Sequence, residues 1–273
     1  MRIERRTSGL WQTNSVVLSD ARQVLVVDPA YFPREVEELA ALARSRGSDV
    51  TVVFTHGHWD HVAGWSYFER ATVLGSAVLS EEIREDGPAA RRSLDELRDF
   101  DGRWYVPRPA SAAWPRHLRV LGEGDRLGVG GASVRVLELP GHSADGLGLL
   151  LEGERLLVLG DYLSPCEIPF VEDLESYRAT LSRLRTLLPE LRRIVPGHGP
   201  ELDPARAQAI LQADAAYLDA LADCGSRGDR EAALALPWPR AADVPGMGEW
   251  HLKNCEAAGL GAAGTRPEPC PTG

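Results

Sequence analysis

The segment Thr55-His56-Gly57-His58-Trp59-Asp60-His61 constrains this 273-residue chain more than any other. Two imidazoles at i and i+2, then a carboxylate and a third imidazole, crowd four metal-capable side chains into six residues. His142, Asp161 and His198 follow far downstream, and five of the seven histidines in the chain fall in this set. Zinc takes nitrogen and oxygen ligands in a four-coordinate shell, and catalytic zinc keeps one position for water. One tetrahedral ion cannot use all seven groups, whereas two ions sharing a carboxylate can.

The flanking residues place these groups on a scaffold. Residues 50–54 are an apolar run leading straight into His56, the pattern of a buried strand that opens into a loop. His142 follows the run 134–139 and the breaker Pro140-Gly141, Asp161 follows 155–159 and Gly160, and His198 follows Arg193–Val195 and Pro196-Gly197. Four strand-to-loop junctions each deliver a chelating side chain, and a sheet presenting groups on its loops gives a site fixed geometry. Helices are expected over 34–46, 174–188 and 204–221, the first signalled by Pro33 near its start and Gly47 beyond its end. Residues 16–18 and 24–27 read as an opening hairpin. This alternation predicts an α/β class and nothing finer.

The motif His56-Gly57-His58-Trp59-Asp60-His61, with Pro140-Gly141-His142-Ser143, Gly160-Asp161 and Pro196-Gly197-His198-Gly199, resembles the metallo-β-lactamase superfamily over roughly residues 14–223. The resemblance implies a four-layer αβ/βα sandwich, two mixed β-sheets face to face with helices outside and the metals at one edge. It also implies a ligand set: His56, His58 and His142 for a first metal, Asp60, His61 and His198 for a second, and Asp161 bridging them. Two Zn²⁺ are the expected cofactors, although iron or manganese suits the same histidine and carboxylate ligands. A bound zinc ion lowers the pKa of water toward about 7, so the nucleophile is expected to come from solvent. Asp60 is expected to orient it.

Composition narrows the setting. The formal net charge is −10 and the pI near 5.2, which argues against a polyanionic partner, so nucleic acid is not expected. No apolar stretch reaches the roughly 18–20 residues a membrane span needs, and the Arg-containing N-terminus lacks a signal-peptide core. A cytoplasmic location and a small-molecule substrate are therefore expected. Cys166, Cys224, Cys255 and Cys270 fall in no paired spacing, which suits free thiols. Lys253 is the only lysine.

One domain over residues 1–273 is expected, with a lid insertion at 80–116 and a C-terminal extension at 224–273. The insertion reads as a helix over 81–98 followed by an aromatic and proline-rich stretch containing Trp104, Tyr105, Pro107, Pro109, Trp114 and Pro115. It is expected either to wall the metal cleft or to be a surface excursion pinned by its aromatics. In the extension, 225–228 reads as a break, and 261–273 as disordered.

Single residues carry further expectations. Tyr162, beside Asp161, is a candidate donor to a developing oxyanion, with a core role as the alternative. His251 and Trp59 are expected to pack, Ser143 and Ser164 to hydrogen-bond within their loops, and Cys166 to lie near the site.

Several reactions use such a ligand set. The expected activity is metal-dependent hydrolysis of an ester, thioester or lactone, of the glyoxalase II or acyl-homoserine lactonase kind. True β-lactamases of the superfamily usually place a cysteine where Asp161 stands. The alternatives are phosphodiester or nucleic-acid hydrolysis, and mononuclear iron redox chemistry like that of the persulfide dioxygenases, which would leave His61 and His198 unused as ligands.

Overall fold

In the computed structural model, residues 1–261 are described except 69, 105, 109–112, 242, 243 and 245. The first three strands, Arg2–Thr7 (β1), Asn14–Ser19 (β2) and Gln23–Val27 (β3), pair antiparallel, and β2 with β3 is the expected hairpin. Asp49–Val53 (β4), Thr72–Ser76 (β5) and Arg119–Leu121 (β6) then add in parallel, completing a mixed six-stranded sheet. The second sheet has five strands in the order β11-β10-β9-β8-β7: Arg126–Val129 (β7), Ala132–Glu138 (β8), Leu147–Leu151 (β9), Leu156–Val158 (β10) and Arg193–Val195 (β11). Only β10 and β11 pair in parallel there.

Because strand side chains alternate between faces, each sheet contributes to two cores. Val16, Leu18, Leu25, Val27 and Val53 face Val134, Val136, Leu147, Leu149 and Val158 between the sheets. The intervening residues Val17, Val24, Val26 and Val52 turn outward and pack on Val36, Leu39, Ala40 and Ala43 of the helix Pro33–Arg46 (α1). On the far side, Leu137, Leu157 and Ile194 meet Tyr177, Leu181 and Leu184 of Leu174–Leu187 (α5), and Leu211, Leu218 and Leu221 of Pro204–Arg227 (α6). The expected four-layer sandwich is therefore the observed fold. Each fully buried Val or Leu in these layers contributes on the order of 1.5–3 kcal/mol.

Two expectations are corrected. The single helix over 81–98 is two helices, Ala77–Arg84 (α3) and Pro88–Trp104 (α4), after a short helical turn Trp59–Val62 (α2). Asp86 between them takes φ 49°, and Pro88, which cannot continue an upstream helix, opens the second. The break expected at 225–228 begins three residues late. α6 runs through Gly225, where a Cβ would come within 2.4 Å of the Ala258 carbonyl oxygen, and stops at Gly228, left-handed at φ 66°. Arg230–Leu234 (α7) and Met247–Ala257 (α8) follow. The expectation of disorder falls on residues outside those described, apart from Gly261. Tyr105, Pro109 and Cys270 also lie outside them.

The aromatic and proline-rich stretch is tied back at several points. Trp114 Nε1 donates to the Ala90 carbonyl at 3.0 Å, and Arg108 donates to the Tyr31 carbonyl at 2.8 Å while pairing with Asp101. No helix among the described residues is long and apolar enough to cross a membrane.

Candidate metal centre

The ends of β4, β8, β10 and β11 converge at one edge of the sandwich, where backbone hydrogen bonds stitch the sheets together. Leu147 N donates to Thr55 O at 2.7 Å, and Asn14 N donates to Gly197 O at 2.7 Å. Asn14 also donates its side-chain amide to Pro196 O and Gly199 O, at 2.9 and 2.7 Å, bracketing the turn that carries His198. Glycine is required where these loops touch. A Cβ on Gly197 would lie 1.9 Å from Asp161 Oδ1, and Gly160 adopts φ 59° against Thr55.

Within the His56 segment the chain bends at Thr55 and His56, is extended at His58 (φ −68°, ψ 141°) and turns helical at Trp59. This change divides the four chelating side chains. His56, His58, His142 and Asp161 each offer one atom to a common set within 4.8 Å of one another, and Asp60, His61 and His198 form a second such set. Asp161 spans the two: its Oδ2 is 3.6 Å from His56 Nε2, 3.4 Å from His142 Nε2 and 3.3 Å from His198 Nε2, and its Oδ1 is 3.1 Å from His61 Nε2. Asp60 Oδ2 is 3.6 Å from His61 Nε2 and 3.4 Å from His198 Nε2. All seven residues expected from the sequence thus meet.

A layer of outer partners sets which ring nitrogen faces inward. His61 Nδ1 donates to Asp28 Oδ2 at 2.9 Å, His142 Nδ1 to Phe170 O at 2.9 Å, and His198 Nδ1 to Trp11 O at 2.8 Å. Thr55 donates its hydroxyl to Asp28 Oδ2 at 2.7 Å, leaving its oxygen to accept from His56 Nδ1 at 3.1 Å. With Nδ1 committed as donor, Nε2 is the nitrogen each of these rings turns to the centre, the usual outer-partner arrangement for ligating histidines. His58 contributes Nδ1, 3.0 Å from His142 Nε2.

The electrostatics differ between the two sets. Burial holds His56 well below the usual imidazole range, lowers His58, and brings His142 down to about 4. Burial also opposes charge on His61 and His198, but the carboxylates around them win. Asp161, Asp60 and Asp28 raise His61 well above its ordinary value, and Asp161 with Glu167 raises His198 to about 10. For Asp161 burial favours the acid, yet His61, His198 and His56 hold its carboxyl well below the usual range.

These residues fit a metal pair. Among the described residues, His56 Nε2 and Asp161 Oδ1 are buried and have no hydrogen-bond partner. An orphaned acceptor costs on the order of 1–3 kcal/mol when left unsatisfied, and a cation is the partner that would satisfy both.

Other expectations meet mixed outcomes. Tyr162 takes the core position given as its alternative. Its hydroxyl donates to Pro140 O at 2.7 Å and accepts from His142 N at 3.0 Å, so its proton is committed to the backbone carrying His142. Ser164 Oγ accepts from Cys166 N at 3.2 Å as expected, whereas Ser143 Oγ is buried with no hydrogen-bond partner among the described residues. His251 packs on Trp238 and pairs with Tyr217. Trp59 packs in a cluster with Trp11, Tyr31 and Phe100. Through Phe100, α4 is brought beside the loop that carries the site, and Cys166 lies against Gly199. Burial raises the Cys166 thiol, which makes it a poor nucleophile.

Sequence reasoning missed Asp28, Thr13, Asn14 and Glu167. Asp28 follows directly on the apolar strand β3, the same junction signal that marked the ligands, and sits at φ 50° with its carboxylate accepting from Thr55 N, Thr55 Oγ1 and His61. Thr13 donates to Asp60 Oδ2 at 3.2 Å. Glu167 Oε1 lies 3.9 Å from His198 Nδ1, and burial pushes its carboxyl up to about 7. No spacing rule singles out these last residues.

The sequence model of the metallo-β-lactamase superfamily matches residues 8–198, and the chain belongs to that superfamily. Among its relatives, the atrochrysone carboxyl ACP thioesterase of Aspergillus fumigatus is 28% identical over 205 residues, covering 74% of this chain and 55% of that protein. The hydroxyacylglutathione hydrolase of a Methylobacterium species is 28% identical over 228 residues, covering 80% of this chain and 78% of its own length. The crystal structure of a metallo-β-lactamase family protein from Thermus thermophilus matches in fold, with a TM-score of 0.65 at 23% identity over 94% of this chain and 93% of that one. The chain spans little more than half the length of several curated relatives, 55% to 60%.

Proposed function

We propose that this protein is a metal-dependent hydrolase with two zinc positions, acting on an ester, thioester or lactone bond of a small molecule in the cytoplasm. The observation that carries this reading is Asp161, whose two oxygens face histidines of both chelating sets. A relative named as a thioesterase and another named as a hydroxyacylglutathione hydrolase support acyl transfer to water. The unpaired Cys166, Cys224 and Cys255 suit a reducing compartment, and the net charge of −10 disfavours a polyanion.

When bound, a metal pair supplies Lewis-acid polarisation of an acyl carbonyl and acidification of water toward a pKa of about 7. The protein's own groups do the rest. His56, His58 and His142, held neutral by burial, offer lone pairs to the first position. Asp161 would serve both positions, since its oxygens face histidines of both sets. Asp60, steadied by the Thr13 hydroxyl, orients the attacking water. Because His61 and His198 stand in a second assembled set, the arrangement favours two ions over a mononuclear iron site.

Hydrolysis of a panel of thioesters, lactones, simple esters and a phosphodiester by the zinc-loaded protein, with an EDTA-stripped control, tests the proposal. Metal-dependent turnover confined to the carbonyl compounds is expected. Turnover of the phosphodiester alone would replace this reading with phosphodiester hydrolysis. Silence across the panel with oxygen uptake after iron loading would replace it with redox chemistry.

A further inference from the structure

His142 depends for its orientation on a carbonyl that is not part of any helix or strand. Its Nδ1 donates to Phe170 O at 2.9 Å, and Phe170 lies in the irregular segment before α5. Such a segment needs an outside brace to hold one carbonyl in one place. The brace comes from α8, far away in sequence.

Asn254 on α8 is fully buried. Its Nδ2 donates to Pro169 O at 2.7 Å, and its Oδ1 accepts from Val171 N at 3.0 Å. The amide therefore grips the backbone on both sides of Phe170. A second Nδ2 hydrogen bond goes to the Tyr217 hydroxyl of α6 at 3.1 Å, and that hydroxyl pairs with His251 Nδ1 at 2.8 Å. The Phe170 ring is held as well, stacked on Trp250 of α8 with centroids 3.9 Å apart and planes 8° apart. A buried network thus runs from α6 and α8 to a chelating imidazole, and every link has a donor matched to an acceptor. The amide donates to Pro169 O through its nitrogen and accepts from Val171 N through its oxygen; a carboxylate has no proton to donate, and an aliphatic chain offers neither.

We infer that Asn254 is a positioning residue for the metal centre, acting through Phe170 to hold His142 in its inward-facing tautomer and orientation. The C-terminal extension is then a working part of the site rather than an appendage. This inference rests on the metal-binding reading proposed above. Outer partners of ligating histidines typically carry about 10–100-fold in metal affinity.

The test is titration of the full-length metal-free protein with cobalt(II) alone, followed by its visible absorption, for the parent chain and for Asn254→Leu, Asn254→Asp and Leu260→Ala. Leu260 is buried in the same core and its backbone pairs with Cys255 and Arg230, so its truncation controls for general loosening. The parent is expected to bind two equivalents. Both Asn254 variants should weaken one equivalent by about 10–100-fold with an altered cobalt spectrum, and Leu260→Ala should lower the melting temperature without changing either affinity. Asn254→Asp is nearly isosteric and keeps the test open should Asn254→Leu not fold. Unchanged affinities in a folded Asn254 variant, or equal weakening in Leu260→Ala, would overturn the positioning role while leaving the metal reading intact. Failure of the parent chain to bind cobalt would sink the metal reading and this inference together.

Discussion

In the set of His56, His58, His142 and Asp161, burial presses all three imidazoles toward their neutral form. In the set of Asp60, His61 and His198, the neighbouring carboxylates overcome the same burial and raise both imidazoles. The residue types are alike and the depth is alike; the position of the carboxylates makes the difference. Metal ligands must be deprotonated to bind, so a cation at the second set would have to displace protons that burial keeps off the first. The two positions are therefore unequal, and the structure shows which groups tie them together.

Removing the shared group should abolish the distinction altogether. Asp161→Ala is expected to lose the second metal and to reduce kcat/KM by more than the ~10–100-fold typical of outer partners, read by metal analysis alongside kinetics. Retention of two tightly bound ions would refute the bridging role. Asp60→Asn strikes the second set alone and the orientation of water with it. A fall of about 10²–10⁴-fold in turnover is expected for loss of such a group, with the first metal retained, and full turnover at unchanged metal content would contradict the assignment.

Asp28→Ala reaches one member of each set at one remove, His61 directly and His56 through Thr55. Affinity at both positions should weaken by about 10–100-fold, and the donors left unpaired should cost about 1–3 kcal/mol in denaturant unfolding. Weakening at one position only would show that the two sets are braced separately. The smallest effect belongs to Tyr162→Phe, which removes hydrogen bonds to Pro140 O and from His142 N. A stability loss of about 1 kcal/mol and a modest change in turnover are expected. A loss of about 10²–10³-fold in kcat would instead restore the oxyanion role.

Much of the centre is legible before folding is considered. Strand junctions ending in Gly or Pro-Gly carry His142, Asp161 and His198 into loops, and the His-x-His pair brings two imidazole rings to 4.6 Å between centroids before the α2 turn redirects Asp60 and His61. α1 and α5 follow their local signals closely. The strand β9 is harder to read: it is apolar on both faces because it is covered by both cores, so it lacks the alternation that marks a half-buried strand. The division of 81–98 into α3 and α4 turns on one residue, Pro88, inside an otherwise helical stretch.

The outer partners are a different matter. Thr13, Asn14, Phe170 and Asn254 are ordinary residues in sequence, with no spacing that relates them to a histidine tens of residues away. Residue types and their order at the strand ends determined the chelating set, because side-chain chemistry and local backbone breaks are written in neighbouring residues. Only the tertiary structure decided which ring nitrogens face inward, which groups brace them, and that Tyr162 supports His142. Those properties depend on distances, burial and hydrogen bonds that exist only once the two sheets and the C-terminal helix have packed together.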